Sequence, residues 1–143
     1  MYILDTNVVS ELRKIRSNKA DPNVAAWAES VDAVDLYLSV ITIQELDIGV
    51  LLAERRDSSQ GAILRAWLNG HVLPAFTDRI LAVDTTVAQR SAGLHVPNPR
   101  PVRDGLIAAT ALVHGMIIVT RNVSDFEPTG VGSFNPWSGF KSL

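Results

Sequence analysis

Cysteine is absent from the 143 residues of this sequence. Its absence excludes disulfide bonds, thiol catalysis and thiolate metal ligands, and leaves Asp, Glu, His and Asn as the side chains able to bind a metal. Histidine is also scarce: His71, His95 and His114 are the three present, and their positions do not match a metal-ligand spacing. Carboxylates are therefore the first candidates for any chemistry in this chain.

Long hydrophobic runs are missing as well. The longest apolar stretch, Leu106 to Val113, contains Thr110 and is far shorter than the roughly 20 residues that a membrane helix needs. The residues Met1 to Leu4 lead straight to Asp5, without the basic and apolar regions of a secretory signal. Together with the lack of cysteine, these features predict a cytoplasmic protein that does not associate with membranes.

The sequence has no excess of positive charge. Its 13 Lys and Arg residues are outnumbered by 15 Asp and Glu residues, which gives a net charge of −2. Proteins that bind nucleic acids usually carry a basic surface, but a cluster of carboxylates lowers the net charge while attracting a divalent cation that restores the attraction to phosphate. The charge balance therefore excludes no substrate. The length and an apolar content of 47% fit one domain over residues 1–143.

Short β-rich runs alternate with helical patterns along the chain. Strands are predicted at Tyr2–Leu4, Leu36–Ser39, Arg79–Val83 and Met116–Thr120, with a further edge strand within Val131–Trp137. The longer predicted helices run from Thr42, in a capping-box pattern with Glu45, to Arg56, from about Ser58 to Phe76, and from Asp104 to His114. This alternation predicts an α/β fold with a parallel sheet covered by helices on both faces.

Four acidic residues lie at or near the predicted carboxyl ends of strands. Asp5 follows the first strand, Glu45 lies early in the helix after the second, Asp104 opens the helix before the fourth, and Asp125 lies in the loop after it. In open parallel sheets, functional residues collect at this edge. Converging carboxylates repel one another, and Mg²⁺ or Mn²⁺ offsets that repulsion because both ions prefer oxygen ligands. Such a site can activate water for the hydrolysis of a phosphodiester.

A purely structural explanation is open for three of these acids. Glu45 and Asp104 stand near helix N-termini, where the helix dipole favours a negative charge without any function. Asp125 fits a turn residue equally well. Asp5 is different, because a charge that closes an apolar strand is costly unless it is solvated or bound.

Several short motifs follow one another in a fixed order along the chain. They are Leu4-Asp5-Thr6-Asn7, Glu45-Leu46 with Gly49, Asp104 with Ile107-Ala108-Ala109-Thr110, His114-Gly115, Val119-Thr120-Arg121-Asn122, Asp125-Phe126 and Phe134-Asn135-Pro136-Trp137. This ordered set resembles the motifs of VapC-like toxins of the PIN-domain ribonuclease family, and the resemblance covers nearly the whole chain.

The resemblance implies a PIN-like three-layer α/β/α sandwich with a central, mostly parallel sheet of four to five strands. It also implies an endoribonuclease that depends on Mg²⁺, with Mn²⁺ as the alternative ion, and that cleaves tRNA, rRNA or mRNA. The implied partners are a VapB-like antitoxin, whose C-terminal segment covers the active site, and a second copy of the chain in a homodimer. The toxin and antitoxin are expected to form larger complexes, in which operator DNA binds only through the antitoxin.

The resemblance also assigns roles to individual residues. Asp5 and Asp104 would bind the metal, Glu45 would bind it directly or through water, and Asp125 would be the outer acid. The supporting residues would be Thr6, Asn7, Thr120 and Asn122; Arg103 joins them because it lies directly before Asp104 in the sequence, and not through the resemblance. The chain departs from many relatives directly after the Thr-Arg pair, where Asn122 stands in place of an Asp and Asp125 follows three residues later. Since an amide supplies no charge, a second metal would be weakly held or absent.

Two alternatives remain open. The first is a PIN-fold module that binds RNA or protein with impaired catalysis; Asn122 favours it, and the four retained acids oppose it. The second is a HAD-like phosphatase, which also places an Asp after its first strand. That class needs a second Asp at the position of Asn7 and a later Lys, whereas no Lys occurs between Lys19 and Lys141.

The sequence also offers two candidate binding surfaces, one for RNA and one for proteins. Arg100 and Arg103 flank the proposed catalytic helix, where they are candidates for binding RNA phosphates. The apolar helix segments Ile48–Leu52 and Ile63–Leu73 fit ordinary core, and the resemblance adds a groove for the antitoxin or a dimer surface as the other interpretation.

Overall fold

A five-stranded parallel sheet forms the centre of the molecule. In the computed structural model, which describes residues 1–139, the strands are β1 (Tyr2–Leu4), β2 (Leu36–Ser39), β3 (Ile80–Leu81), β4 (Ile117–Val119) and β5 (Ser133–Phe134). Their order is β3-β2-β1-β4-β5, and every neighbouring pair is parallel. The α/β prediction is confirmed, and the predicted edge strand is present as β5. The third strand is shorter than predicted, at two residues.

Helices cover both faces of this sheet. Their bounds are α1 (Thr6–Leu12), α2 (Pro22–Ser30), α3 (Val40–Arg56), α4 (Ser58–Trp67), α5 (Leu73–Ala75), α6 (Thr85–Leu94), α7 (Val102–His114) and α8 (Val123–Phe126). Successive residues of β1 point to opposite faces, as the period of a strand requires. Leu4 packs into one core cluster, with Val8, Leu46 and Leu68 of the helices, whereas Ile3 packs into the other, with Ile107, Ala108 and Phe126. The result is the predicted α/β/α sandwich.

The start of α3 differs from the prediction. Ser39, the last residue of β2, caps this helix, and its hydroxyl accepts a 3.0 Å hydrogen bond from the Ile41 N–H. Thr42 was the predicted cap, but it lies inside the helix and is fully buried. The capping box with Glu45 is therefore wrong, because the strand passes into the helix without a loop. The early start leaves Glu45 in the second turn of α3.

Three other predictions of helical structure also differ from the observed elements. The helix predicted from Ser58 to Phe76 is interrupted by a π-helical turn at Leu68–Val72. The helix predicted from Asp104 begins at Val102, so that Asp104 lies inside its first turn. Asp125 lies in the short helix α8 rather than in a loop. None of the helices within residues 1–139 combines the length and the apolar character needed to cross a membrane.

Candidate active site

Asp5 and Thr120 meet at the carboxyl edge of the sheet, where β1 and β4 end side by side. Leu4 pairs with Val119 in the ladder, and the Asp5 N–H continues it with a 2.9 Å hydrogen bond to the Val119 carbonyl. The Thr120 hydroxyl then donates to Asp5 Oδ2 at 2.8 Å, and the Thr6 N–H donates to Asp5 Oδ1 at 2.8 Å. Asp5 is buried, with 9% of its surface exposed. Both of its carboxylate oxygens are thus held in a fixed orientation.

The loop after β4 is tied to this carboxylate. Asn7 places its side-chain amide 3.4 Å from Asp5 Oδ2 and accepts a hydrogen bond of 3.3 Å from the Arg121 N–H. The Asn122 N–H donates to the Thr120 hydroxyl at 3.1 Å. The structure therefore places Asn7 and Thr120 against Asp5, whereas Asn122 contacts Thr120 through its backbone N–H.

Asp104 lies close enough to Asp5 and to Asp125 to interact electrostatically with both of them. Burial raises the pKa of Asp104 above its usual range; Arg103 lowers it in part, and the charges of Asp5 and Asp125 raise it further. Asp104 is largely buried in the first turn of α7, whereas Asp125 is exposed on α8. Asp104 thus interacts electrostatically with two of the other three predicted acids.

Glu45 joins the site through two other residues. Its Oε1 accepts a 2.8 Å hydrogen bond from the Thr6 hydroxyl, and its Oε2 accepts one from Arg103 Nη1. Arg103 also places its Nε 3.6 Å from Asp104 Oδ1. The guanidinium of Arg103 therefore bridges Glu45 of α3 and Asp104 of α7, and links two helices that both begin at this edge of the sheet.

The donor set has the chemistry that Mg²⁺ and Mn²⁺ prefer. Asp5, Asp104, Asp125 and Glu45 offer carboxylate oxygens. Burial is the main cause of the raised pKa of Asp104, and a divalent cation would offset both this cost and the smaller effect of the charges of Asp5 and Asp125. As they are placed, however, the Asp, Glu and His side chains of the described part of the chain include no group of three arranged to hold one ion. The carboxylates thus have the chemistry that such an ion requires, and Asp5, Glu45 and Asp104 are contacted by Thr6, Asn7, Thr120 and Arg103.

Arg121 was not predicted as a site residue. Its N–H binds Asn7, and its guanidinium stacks over the Trp137 ring at 5.2 Å, which puts an exposed cation beside the acidic edge. Its position in the Thr120-Arg121-Asn122 motif was the available signal. Arg100, in contrast, points back to the chain and donates a 2.7 Å hydrogen bond to the Leu94 carbonyl. The Nε of Arg100 is thus engaged by the backbone, and its role in binding phosphate stays a prediction.

Comparison with known proteins agrees with this architecture. The PIN domain family matches residues 2–127. The chain is 39% identical over 142 residues to VapC ribonuclease Y4jK of Sinorhizobium fredii, with 96% of this chain and 98% of the relative aligned. It is 37% identical over 142 residues to toxin FitB of Neisseria gonorrhoeae, with 96% of this chain and 99% of the relative aligned.

A solved structure of FitAB bound to an IR36 DNA fragment contains a chain of the same fold. It superimposes with a TM-score of 0.86 at 35% sequence identity, and the match covers 96% of each chain. The parallel sheet, the acidic edge and these similarities show that the chain belongs to the PIN domain family. Within that family it is a VapC-like chain, as its relatives show. This membership excludes the HAD-like phosphatase alternative.

Proposed function

We propose that this chain is a metal-dependent endoribonuclease that hydrolyses RNA phosphodiester bonds, and that it is the toxin of a VapBC-like toxin–antitoxin pair. The observation that carries the proposal is the position of Asp104 at the carboxyl edge of the sheet, where it interacts electrostatically with Asp5 and Asp125 and is bridged by Arg103 to Glu45. Similarity to a VapC ribonuclease and to a toxin supports it. In this proposal all 143 residues form one PIN domain, the protein acts in the cytoplasm, and its substrate is a tRNA, rRNA or mRNA.

The proposed chemistry depends on how the chain holds its carboxylates. Asp5 and Asp104 would bind Mg²⁺, or Mn²⁺ in its place, and Glu45 would bind directly or through water. When bound, the ion supplies an activated water and stabilises the charge that develops on the scissile phosphate. The Thr6 N–H and the Thr120 hydroxyl orient Asp5 before any ligand arrives. Such preorganisation by groups behind the ligands strengthens both metal affinity and catalysis.

The supporting residues keep the edge of the site in place. Thr6 also donates its hydroxyl to Glu45, so that one residue fixes acids of two different elements. Asn7 accepts the Arg121 N–H and so joins α1 to the loop after β4, and within that loop the Asn122 N–H donates to Thr120. Asp125, exposed on α8, would act as the outer acid that adds negative charge without a direct bond to the first ion.

An exposed apolar surface supports the proposed protein partners. Ile48, Leu51 and Leu52 follow one another along one side of α3, and Ile63 lies on the packed helix α4; each keeps between 49% and 60% of its surface exposed. Exposed apolar surface of this kind marks protein interfaces. We propose that this surface serves a VapB-like antitoxin and a second copy of the chain in a homodimer. The larger complexes would bind operator DNA through the antitoxin; FitAB is known in a DNA-bound structure.

Cleavage of total bacterial RNA tests the proposed activity. The purified chain is incubated with Mg²⁺, Mn²⁺ or EDTA, beside Asp5→Asn and Asp104→Asn, which remove one charge each without changing side-chain size. Asp78→Asn is the matched control. Asp78 precedes β3, at the opposite edge of the parallel sheet, and its φ of 65° is one that Asn adopts readily. We expect discrete fragments that require metal, about 100-fold or greater loss in both site variants, and normal cleavage by Asp78→Asn.

Two results would contradict the proposal. Equal cleavage by the site variants, or cleavage that persists in EDTA, would mean that these carboxylates do not hold a catalytic ion. Tight RNA binding without cleavage by the wild-type chain would favour the module with impaired catalysis, for which the amide of Asn122 in place of a fourth carboxylate is the structural argument.

A further inference from the structure

The guanidinium of Arg103 contacts the carboxylates of both Glu45 and Asp104. Its Nη1 donates to Glu45 Oε2, and its Nε lies 3.6 Å from Asp104 Oδ1. The other oxygen of Glu45 accepts the hydroxyl of Thr6 at 2.8 Å. Both carboxylate oxygens of Glu45 therefore already have protein partners, and one of those partners is positively charged.

The exposure of the Arg103 side chain allows its guanidinium to move away from Glu45 and Asp104 into solvent. The Arg103 side chain is 60% exposed, whereas those of Glu45 and Asp104 are 15% and 13% exposed. Arg103 lies in the first turn of α7, so its side chain can rotate into solvent without displacing the helix that carries Asp104. Ion pairs with a solvent-exposed partner contribute little to stability, and their separation is correspondingly easy.

We propose, on the basis of the proposed function, that Arg103 is a positioning residue that exchanges partners when the site is loaded. Without a divalent ion, Arg103 neutralises Glu45 and Asp104. When the ion is bound, it repels the guanidinium of Arg103, because both are positively charged and lie near the same carboxylates. Arg103 is then released to contact a phosphate of the RNA beside the scissile bond.

The proposal gives Arg103 opposite effects on two ligands. Removal of its charge takes away a competitor for Glu45, so the ion binds more tightly. The same removal takes away a phosphate contact, so RNA binds more weakly. A residue that only supported the fold would weaken both interactions when replaced, and a surface charge far from the site would change neither.

The first experiment measures the Kd of Mn²⁺, without RNA, by electron paramagnetic resonance or calorimetry. Arg103→Gln is compared with the wild-type chain and with Arg55→Gln, which changes the same charge near the far end of α3, about 15 Å along the helix from Glu45. We expect Arg103→Gln to bind Mn²⁺ about two- to fivefold more tightly, and Arg55→Gln to match the wild type. Arg103→Lys keeps the positive charge but cannot contact Glu45 and Asp104 at the same time as the guanidinium does. Its Kd for Mn²⁺ should lie between those of the wild type and Arg103→Gln.

The second experiment measures binding of a 12-nucleotide 2′-O-methyl RNA at saturating Mn²⁺ over a series of salt concentrations. The 2′-O-methyl groups prevent hydrolysis, and a phosphate contact does not depend on sequence. We expect weaker binding by Arg103→Gln and a decrease of about 0.7 in the steepness of log K against log salt, the effect of one lost phosphate contact on a single strand. Arg103→Lys should retain most of the RNA affinity and most of its salt dependence.

The outcomes separate this proposal from the proposed function. If the wild type binds Mn²⁺ and cleaves RNA, but Arg103→Gln has an unchanged or larger Kd for Mn²⁺, the partner exchange is wrong and the nuclease stands. Unchanged RNA binding and salt dependence in Arg103→Gln would also overturn it. If no variant, the wild type included, binds Mn²⁺, both the proposed function and the exchange fail.

Discussion

The hydroxyl of Thr120 donates a 2.8 Å hydrogen bond to Asp5, across 115 residues of sequence. Thr120 is fully buried and Asp5 is nearly so. The two residues end neighbouring strands, and the pairing of Leu4 with Val119 brings them together. The orientation of the Asp5 carboxylate therefore depends on the assembled sheet, because Thr120 reaches Asp5 only when β4 pairs with β1.

Replacement of Thr120 tests this relationship. Thr120→Val keeps the side-chain shape but leaves Asp5 Oδ2 with the longer contact to Asn7, at 3.4 Å. Loss of a group that orients a metal ligand typically costs 10- to 100-fold, and we expect a loss of about that size in the rate of metal-dependent RNA cleavage. Thr120→Ser restores the hydroxyl and should recover most of the rate. Full activity of a folded Thr120→Val variant would show that Asp5 needs no such support.

Gly105 is the second test, because it lies next to Asp104 on α7. A Cβ at this position would be 2.8 Å from His95 Nε2 and 3.1 Å from Ser91 Oγ. We expect Gly105→Ala to lower the free energy of unfolding by about 1–2 kcal/mol through overpacking, and to reduce cleavage by displacing the first turn of α7. Urea unfolding measures the first effect.

Gly93→Ala is the matched control for Gly105. Gly93 also lies in a helix, α6, but a Cβ there meets nothing within 4 Å. Its replacement should stabilise the protein by about 0.5–1 kcal/mol, since alanine is the better helix former. Equal effects of the two substitutions would contradict a close contact between α6 and α7 at Gly105.

Glu11 gives a prediction about pH. The backbone N–H of Asp21 donates to Glu11 at 2.8 Å and Lys14 lies at 3.1 Å. The hydrogen bond from Asp21 and, to a smaller extent, Lys14 lower the pKa of Glu11 from its ordinary value of 4.5, against the effect of burial. A carboxyl whose pKa is lowered by folding stabilises the protein above its unfolded-state pKa, and this stabilisation is lost as the pH falls through the folded-state pKa.

The measurement compares the free energy of unfolding of the wild type and Glu11→Gln at pH 7 and at about pH 3. We expect Glu11→Gln to be less stable by about 1 kcal/mol at pH 7, since the amide keeps an acceptor oxygen but loses the extra strength of a charged one, and the difference to shrink at acidic pH. Glu29→Gln, at an exposed position of α2, should show no such difference. A constant gap between wild type and Glu11→Gln would contradict the lowered pKa.

The sequence predicted the parts of the fold that depend on local pattern. The strand Tyr2–Leu4 is an apolar run that ends at a charge, and the positions of Asp5 and Thr120 at strand ends follow from such runs. The start of α3 was wrong because both Ser39 and Thr42 are good caps, and the choice between them depends on where β2 ends. The ion pair of Arg103 with Glu45 joins residues 58 apart, so only the assembled helices could reveal it.

The central claim is that the carboxylates of Asp5 and Asp104 hold a divalent cation, and anomalous diffraction from crystals grown with Mn²⁺ tests it most directly. The account predicts one strong peak about 2.1 Å from an oxygen of each carboxylate, with Arg103 turned away from Glu45. The Asp104→Asn variant should lose the peak or show it much weakened. Crystals that hold Mn²⁺ elsewhere, or whose peak is unchanged in Asp104→Asn, would contradict the account.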